Sequence, residues 1–257
     1  MQQDNNMKET RREIVFDKYE RIGAYHWKQC SNNLKTVNVH TKARYKIVIN
    51  CVAEFFNSTS VATLEVGCGD GALTASIRKL GHRVYGVDTN SEGIRLAKEK
   101  FREKSLTGEF YVIEGYKYPF EDNFFEVVVC ADVIEHVQKP LQMLEEIHRI
   151  LKRGGILIVS TPIKIQNLPI SKNHVQEWTI DDFEDFCAPV FGKTTKRIIS
   201  HPLSCYRLYT SKNKYIRKIA RSLINILFLF GINVFLKTGK KALSRYQMQT
   251  LVLQKVN

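Results

Sequence analysis

Beyond Asp185 the chain has no acidic residue at all, while fourteen Lys and Arg follow that position. The first 185 residues carry 25 basic groups against 26 acidic ones and are close to neutral. The whole excess of +13 therefore sits in the C-terminal quarter. A charge placed this way implies a local anionic partner or surface and excludes a uniformly basic protein. Paired cysteines are missing too: Cys30, Cys51, Cys68, Cys130, Cys187 and Cys205 are scattered and form no CxxC. That argues against a disulfide framework or a zinc site and fits a reducing compartment. The opening MQQDNNMKETRR has no apolar h-region, so a signal peptide is not expected and the cytoplasm is the default location. The longest apolar stretch, LINILFLFGINVF, is broken by Asn225, Gly231 and Asn233. It falls short of the roughly 18 unbroken apolar residues of a membrane span. No internal repeat or low-complexity tract is found.

What is present alternates. The apolar runs VATLEV, HRVYGVD, EFYVI, FEVVVCA, GILIVST, KTTKRIIS and MQTLVLQKV read as seven strands. Between them lie helical patterns. Leu73, Ile77 and Leu80 recur until Gly81. Ser91 reads as an N-cap ahead of Ile94, Ala97 and Phe101. Pro140 starts a helix with Leu141, Leu144, Ile147 and Leu151 on one face, and Thr179 caps another. Strands and helices in this order predict an α/β fold: a Rossmann-like, doubly wound, mostly parallel seven-stranded sheet with helices on both faces. At 257 residues and 44% hydrophobic, the chain can bury one large core. The expected organisation is an N-terminal helical cap over residues 1–60, a core over 61–200, a basic, apolar helical insertion over 201–245, and a last core strand over 246–257.

The first strand runs into GCGDG, a helix follows, and Asp88 stands at the tip of the second strand, seventeen residues after Gly71. Strand, glycine turn, helix and acid form a nucleotide-binding arrangement. Glycines let the backbone approach a ligand, and the acid accepts hydrogen bonds from two ribose hydroxyls. Gly67 to Ala72 also satisfies G-x-G-x-x-A, so a nicotinamide-dependent oxidoreductase or a non-catalytic nucleotide-binding module is an alternative. LEVGCGDGALT, however, resembles the first motif of class I S-adenosylmethionine-dependent methyltransferases. The resemblance continues through VYGVDTN, YPFEDNFFEVVVCADVIEHVQKP, LEEIHRILKRGGILIVSTP and NHVQEWTIDDFEDF, over about residues 61–190. It points to the broad branch acting on quinones, sugars, lipids and other small molecules. The resemblance implies S-adenosylmethionine as cofactor, with Glu65, Gly67, Gly69 and Gly71 along its amino-acid and ribose parts. It further places Asp88 on the ribose and Thr89 beside the adenine. The sequence departs where the family has an acid reaching the adenine amino group: Tyr116 stands there, and Glu114 is the nearest substitute.

Asp132, Glu135 and His136 follow the fourth strand directly. In one reading Asp132 lies beside the cofactor crevice and His136 is the general base, with Glu135 orienting it; a pKa of about 6.5 suits that role. In a second, Asp132, Glu135, His136 and His174 hold a metal, similar to methyltransferases that modify the 3′-terminal ribose of small RNAs. In a third they only cap and pair. Tyr25, His26 and Trp27 resemble a lid, and His174 and Trp178 lie where such sheets contact substrate. Residues 211–241 join basic flanks to an apolar centre. A peripheral membrane contact, a cap over the sheet or a second subunit are the candidate uses; nucleic acid ranks below them, since few aromatics are placed to stack. The sequence thus predicts methyl transfer to a hydroxyl of a small or lipid-linked molecule.

Overall fold

The computed structural model describes residues 17–56, 59–165, 171, 173–239 and 245–256. Seven strands form one sheet in the order β3-β2-β1-β4-β5-β7-β6. They are β1 Ala62–Val66, β2 Arg83–Asp88, β3 Glu109–Val112, β4 Phe125–Ala131, β5 Leu151–Pro162, β6 Thr194–Pro202 and β7 Tyr246–Gln254. The first five pair in parallel, and β7 runs antiparallel between β5 and β6. The order reverses between β1 and β4, so the crevice beyond their carboxyl ends is where a ligand belongs.

Both faces of the sheet are covered. In β4, Val127 and Val129 face one layer while Val128 and Cys130 face the other, and all four are fully buried. The near-continuous apolar run of this strand follows from that double burial. One layer holds α6 (Pro140–Ile150) and α7 (Ile180–Phe191), with Leu144, Ile147, Phe183 and Phe191 packed inward. The opposite layer holds α3 (Val39–Phe55), α4 (Ala72–Arg78) and α5 (Ser91–Glu103), through Val48, Val52, Leu73, Ile77, Ala97 and Phe101. Thus α3, which falls within the segment expected to be a cap, is one of the helices that cover the sheet. The short helices α1 (Lys18–Ile22) and α2 (Tyr25–Gln29) lie ahead of it.

Local signals decide the helix ends. Thr179 caps α7 through its side chain, as its position predicts. Helix α5 is capped one residue earlier than expected: the Asn90 side chain, not Ser91, accepts the Gly93 amide at 2.7 Å. Asparagine at that position satisfies an otherwise orphan amide. Pro140 opens α6 as anticipated. Between β6 and β7 the chain forms α8 (Leu203–Tyr209), α9 (Lys214–Leu229) and a 3-10 turn at Val234–Leu236. Val37, Val39, Ala43, Tyr209, Ile224 and Phe235 make a small second core that seats this insertion on α3.

Candidate active site

The turn after β1 is shaped by three glycines in the left-handed region: Gly67, Gly69 and Gly71 at φ 71°, 51° and 75°. A side chain at Gly67 would run into Val133, and one at Gly69 would run into the Tyr19 ring. Glycine is therefore required both by backbone conformation and by space. Asp88 ends β2 and clasps this turn. Its Oδ2 accepts the Gly69 amide and its Oδ1 accepts the Asn90 amide, each at 2.8 Å. Burial raises the Asp88 pKa, while these amides oppose the rise. A carboxylate can accept about four hydrogen bonds, so capacity remains for a ribose hydroxyl.

Glu65 is buried on β1 and accepts a hydrogen bond from the Thr74 hydroxyl. Burial pushes its pKa up to about 8 despite that bond. No Lys, Arg or His forms an ion pair with it among the described residues. An ammonium group on a bound amino acid would supply the missing counter-charge. The glycine cradle, the ribose-type acid and this buried carboxyl together fit S-adenosylmethionine. Thr89 is exposed beside Asp88. Glu114 is also exposed, whereas Tyr116 is half-buried and its hydroxyl accepts the Lys139 amide at 3.0 Å. The tyrosine that replaces the family's acid thus ties this loop to the start of α6.

Tyr25, His26 and Trp27, the residues expected to form a lid, lie against the same turn. Asp70, enclosed in the GCGDG turn, accepts the His26 amide at 2.9 Å through Oδ2, and its Oδ1 lies 3.4 Å from His26 Nδ1. The Trp27 indole donates to the Asp70 carbonyl at 2.7 Å, and the ring packs edge-on against Phe101. Tyr25 stacks on Tyr19, which covers Gly69. Trp27 therefore anchors α2 to the glycine turn. Trp178 is remote from this group: only 8% exposed, it packs on Phe183 and Phe186 in the core.

At the end of β4, Asp132 takes φ 58° and pairs with Arg44 of α3 at 2.5 Å. Burial alone would lower the basicity of Arg44, but Asp132 holds it above the ordinary guanidinium range. Glu135 is 1% exposed and accepts the Thr161 hydroxyl at 3.2 Å. Burial, with Asp132 nearby, drives its pKa well above the usual carboxylate range. The ring of His136 faces the opening. Its Nδ1 lies 2.9 Å from the Asn173 carbonyl, and its Nε2 is 4.0 Å from Glu135. A carbonyl only accepts, so Nδ1 carries the proton and Nε2 presents a lone pair. Burial lowers the His136 pKa, keeping the ring neutral at neutral pH. The His174 ring meets that of His136 edge-on, centroids 4.9 Å apart, and its Nδ1 is bonded to Glu177.

Ligand atoms of Glu135, His136 and His174 lie within 4.8 Å of one another. Asp132 is outside that group, because Arg44 engages it. The four-residue set of the metal reading, one of the three that the sequence leaves open, is therefore reduced to three candidate ligands. Arg44, Asp70 and Tyr19 are the site residues that the sequence reading missed. Asp70 had a signal, an acid between two glycines of a ligand-binding turn. Arg44 had a weaker one, a lone arginine beside the apolar positions Ala43, Ile47 and Val48.

Residues 64–159 match a family profile described as "Methyltransferase domain". A ubiquinone biosynthesis O-methyltransferase of Pseudoalteromonas translucida is 28% identical over 145 residues, 56% of this chain and 60% of that protein. Its counterpart in Colwellia psychrerythraea is 32% identical over 99 residues, 38% of this chain and 40% of that one. The chain thus spans from under half to three-fifths of these relatives. Among solved structures, phosphoethanolamine N-methyltransferase 2 of Haemonchus contortus in complex with S-adenosyl-L-methionine aligns with TM-score 0.60 and 15% identity, covering 95% of this chain and 61% of that one. The [4+2]-cyclase SpnF aligns with TM-score 0.58 and 15% identity, covering 82% and 80%. Likeness at that identity shows a shared fold, and the two proteins' different reactions show that this fold does not fix the chemistry.

Proposed function

Because the centre of this chain is a methyltransferase domain of the class I S-adenosylmethionine-dependent type, we propose that it transfers a methyl group to a hydroxyl of a small or lipid-linked molecule. The observation that carries this reading is the clasp of Asp88 on the glycine turn, at the carboxyl end of the same parallel sheet edge that bears the Glu135, His136 and His174 group after β4. S-adenosylmethionine supplies, when bound, a methyl carbon on a cationic sulfur, open to in-line displacement. Glu65, Gly67, Gly69, Gly71 and Asp88 would hold it, with Thr89 at the adenine side. His136 takes the acceptor hydroxyl's proton at Nε2, its tautomer fixed by the Asn173 carbonyl. Glu135 and His174 orient that ring, and the Arg44–Asp132 pair forms the far wall. Tyr19, Tyr25 and His26, hung from Asp70, close over the turn and exclude water. The name of two relatives, ubiquinone biosynthesis O-methyltransferase, favours a phenolic acceptor. A lipid-linked acceptor would be met at a membrane surface, the contact expected of residues 211–241.

The test has two stages. Calorimetry is expected to detect S-adenosylhomocysteine binding that Asp88→Ala abolishes, with NADH giving none. A screen of phenols, sugars, lipids and short RNAs with labelled S-adenosylmethionine then identifies the acceptor class. Binding of NADH in place of S-adenosylhomocysteine overturns the proposal.

A second reading rests on the Glu135, His136 and His174 donors. Both imidazoles use Nδ1 on protein acceptors, which leaves Nε2 as the ligand atom of a divalent cation. Under this reading the cation, not His136, polarises the hydroxyl. Activity that is lost on chelation and restored by a divalent metal selects it; activity unchanged by chelation removes it.

A further inference from the structure

More than half of the exposed large apolar side chains among the described residues fall between Tyr215 and Ile232. Helix α9 touches the protein through a narrow strip: Ile224 is buried, Phe228 lies under Lys42, and Asn225 donates to the Leu34 carbonyl. Away from that strip, Ile216, Ile219, Leu223, Ile226 and Phe230 recur at helical spacing and stand in solvent. Ile219 is 62% and Phe230 78% exposed. Lys212 and Lys214 at the start of α9, Lys218 along it and Lys237 beyond it are exposed, and none of them forms an ion pair among the described residues; Arg221 is held instead by the carbonyl and ring of Tyr209. An apolar stripe of this size on a monomer marks an interaction surface.

We infer that the outward face of α9 docks in the headgroup region of an anionic lipid bilayer, with the flanking Lys on the lipid phosphates. Charge complementarity selects this occupant. A two-fold contact between copies would set α9 against α9 and like charges against like. The chain has no acid after Asp185 to offset them. A bilayer surface accepts both halves at once, apolar side chains at the acyl boundary and cations at the headgroups. The inference also deepens the lipid-linked reading above. Helix α9 sits on α3 through the Phe228–Lys42 contact and on the loop before it through the Asn225–Leu34 bond, and α3 carries Arg44 of the proposed acceptor wall. Docking would bring that wall to the membrane. The docking itself depends only on this surface, not on the methyl-transfer reading.

Vesicle flotation of the full chain separates the outcomes. Binding is expected to vesicles of phosphatidylglycerol and phosphatidylcholine, and to be weak on phosphatidylcholine alone. Lys214→Gln with Lys218→Gln should weaken it by roughly 25-fold, at about fivefold per basic residue. Ile219→Glu with Leu223→Glu should weaken it by at least roughly 100-fold. Both positions are exposed, so circular dichroism and S-adenosylhomocysteine binding should match the parent protein; the latter keeps failure of docking separate from failure of the cofactor site. No flotation, equal flotation on neutral vesicles, or equal flotation of Ile219→Glu/Leu223→Glu would overturn the inference. So would a dimer, seen by sedimentation without vesicle binding, that the same pair of substitutions dissolves.

Discussion

The two walls proposed for the site are built by different means. The proposed cofactor wall is mostly backbone: three left-handed glycines and two amides clasped by Asp88, all within residues 67–90. The proposed acceptor wall is side chains drawn from across the chain: Arg44 from α3, Asp132, Glu135 and His136 from the end of β4, and His174 from the loop before α7. The first wall carries geometry and the second carries titratable groups. The comparison teaches that one fold can keep a fixed cofactor seat while its reaction is rewritten opposite. The fold's occurrence in both an N-methyltransferase and a cyclase fits that division.

The sharpest way to break the comparison is a change in the backbone wall. Gly67→Val combines a left-handed strain of about 1–3 kcal/mol with a collision against Val133. S-adenosylhomocysteine binding by calorimetry should fall by at least roughly two orders of magnitude. A bound complex of near-parental affinity would show that the turn does not seat the cofactor. On the opposite wall, His136→Gln should leave that affinity unchanged and lower kcat by roughly 10²–10⁴-fold. In the parent the acid limb of the kcat profile should lie below about 6.5, since burial lowers the His136 pKa and the base must be neutral. That limb should vanish in the variant.

A smaller effect is expected for Arg44→Met, which strands Asp132. Both partners retain some exposure, so the cost is about 2 kcal/mol, below that of a fully buried pair. The companion Arg44→Met/Asp132→Asn should recover most of it, because asparagine tolerates the φ of 58° at that position. Denaturant unfolding that finds the two variants equally unstable would remove the ion pair from the account.

These contrasts also explain what could be read from the residues in advance. The sheet, its strands and the cofactor wall are written in local patterns, apolar runs with glycine and acid at fixed spacing, so they were legible. Glu135, His136 and His174 were recognisable as one group only through resemblance, because 37 residues separate the two histidines and no period links them. Arg44 carried only a weak signal: a guanidinium on a helix ordinarily faces solvent, and only the packing of α3 on the sheet brings it to Asp132. Likewise, hydrophobicity alone cannot distinguish the exposed face of α9 from a buried one; its small contact area decides that.

The smallest effect tests the seat of the insertion. His40 and His201 pack edge-on, 4.5 Å between centroids, with pKa values lowered to about 2 and about 3, chiefly by burial. Both are neutral when folded, and the unfolded chain protonates near 6.5, so stability is full above that pH and falls below it. Each histidine contributes a slope of up to about 1.4 kcal/mol per pH unit. His201→Asn keeps a residue suited to its φ of 63°. It should flatten the fall in melting temperature between pH 6 and pH 5, and an unchanged slope would place the sensitivity elsewhere.

Asp70 gives the glycine turn a second duty. The segment proposed to seat the cofactor also holds α2, since the His26 amide and the Trp27 indole both bond to that single residue. Under the proposed lid role of Tyr25, His26 and Trp27, lifting that segment would break both bonds to the turn and leave the buried Asp70 carboxylate without the His26 amide.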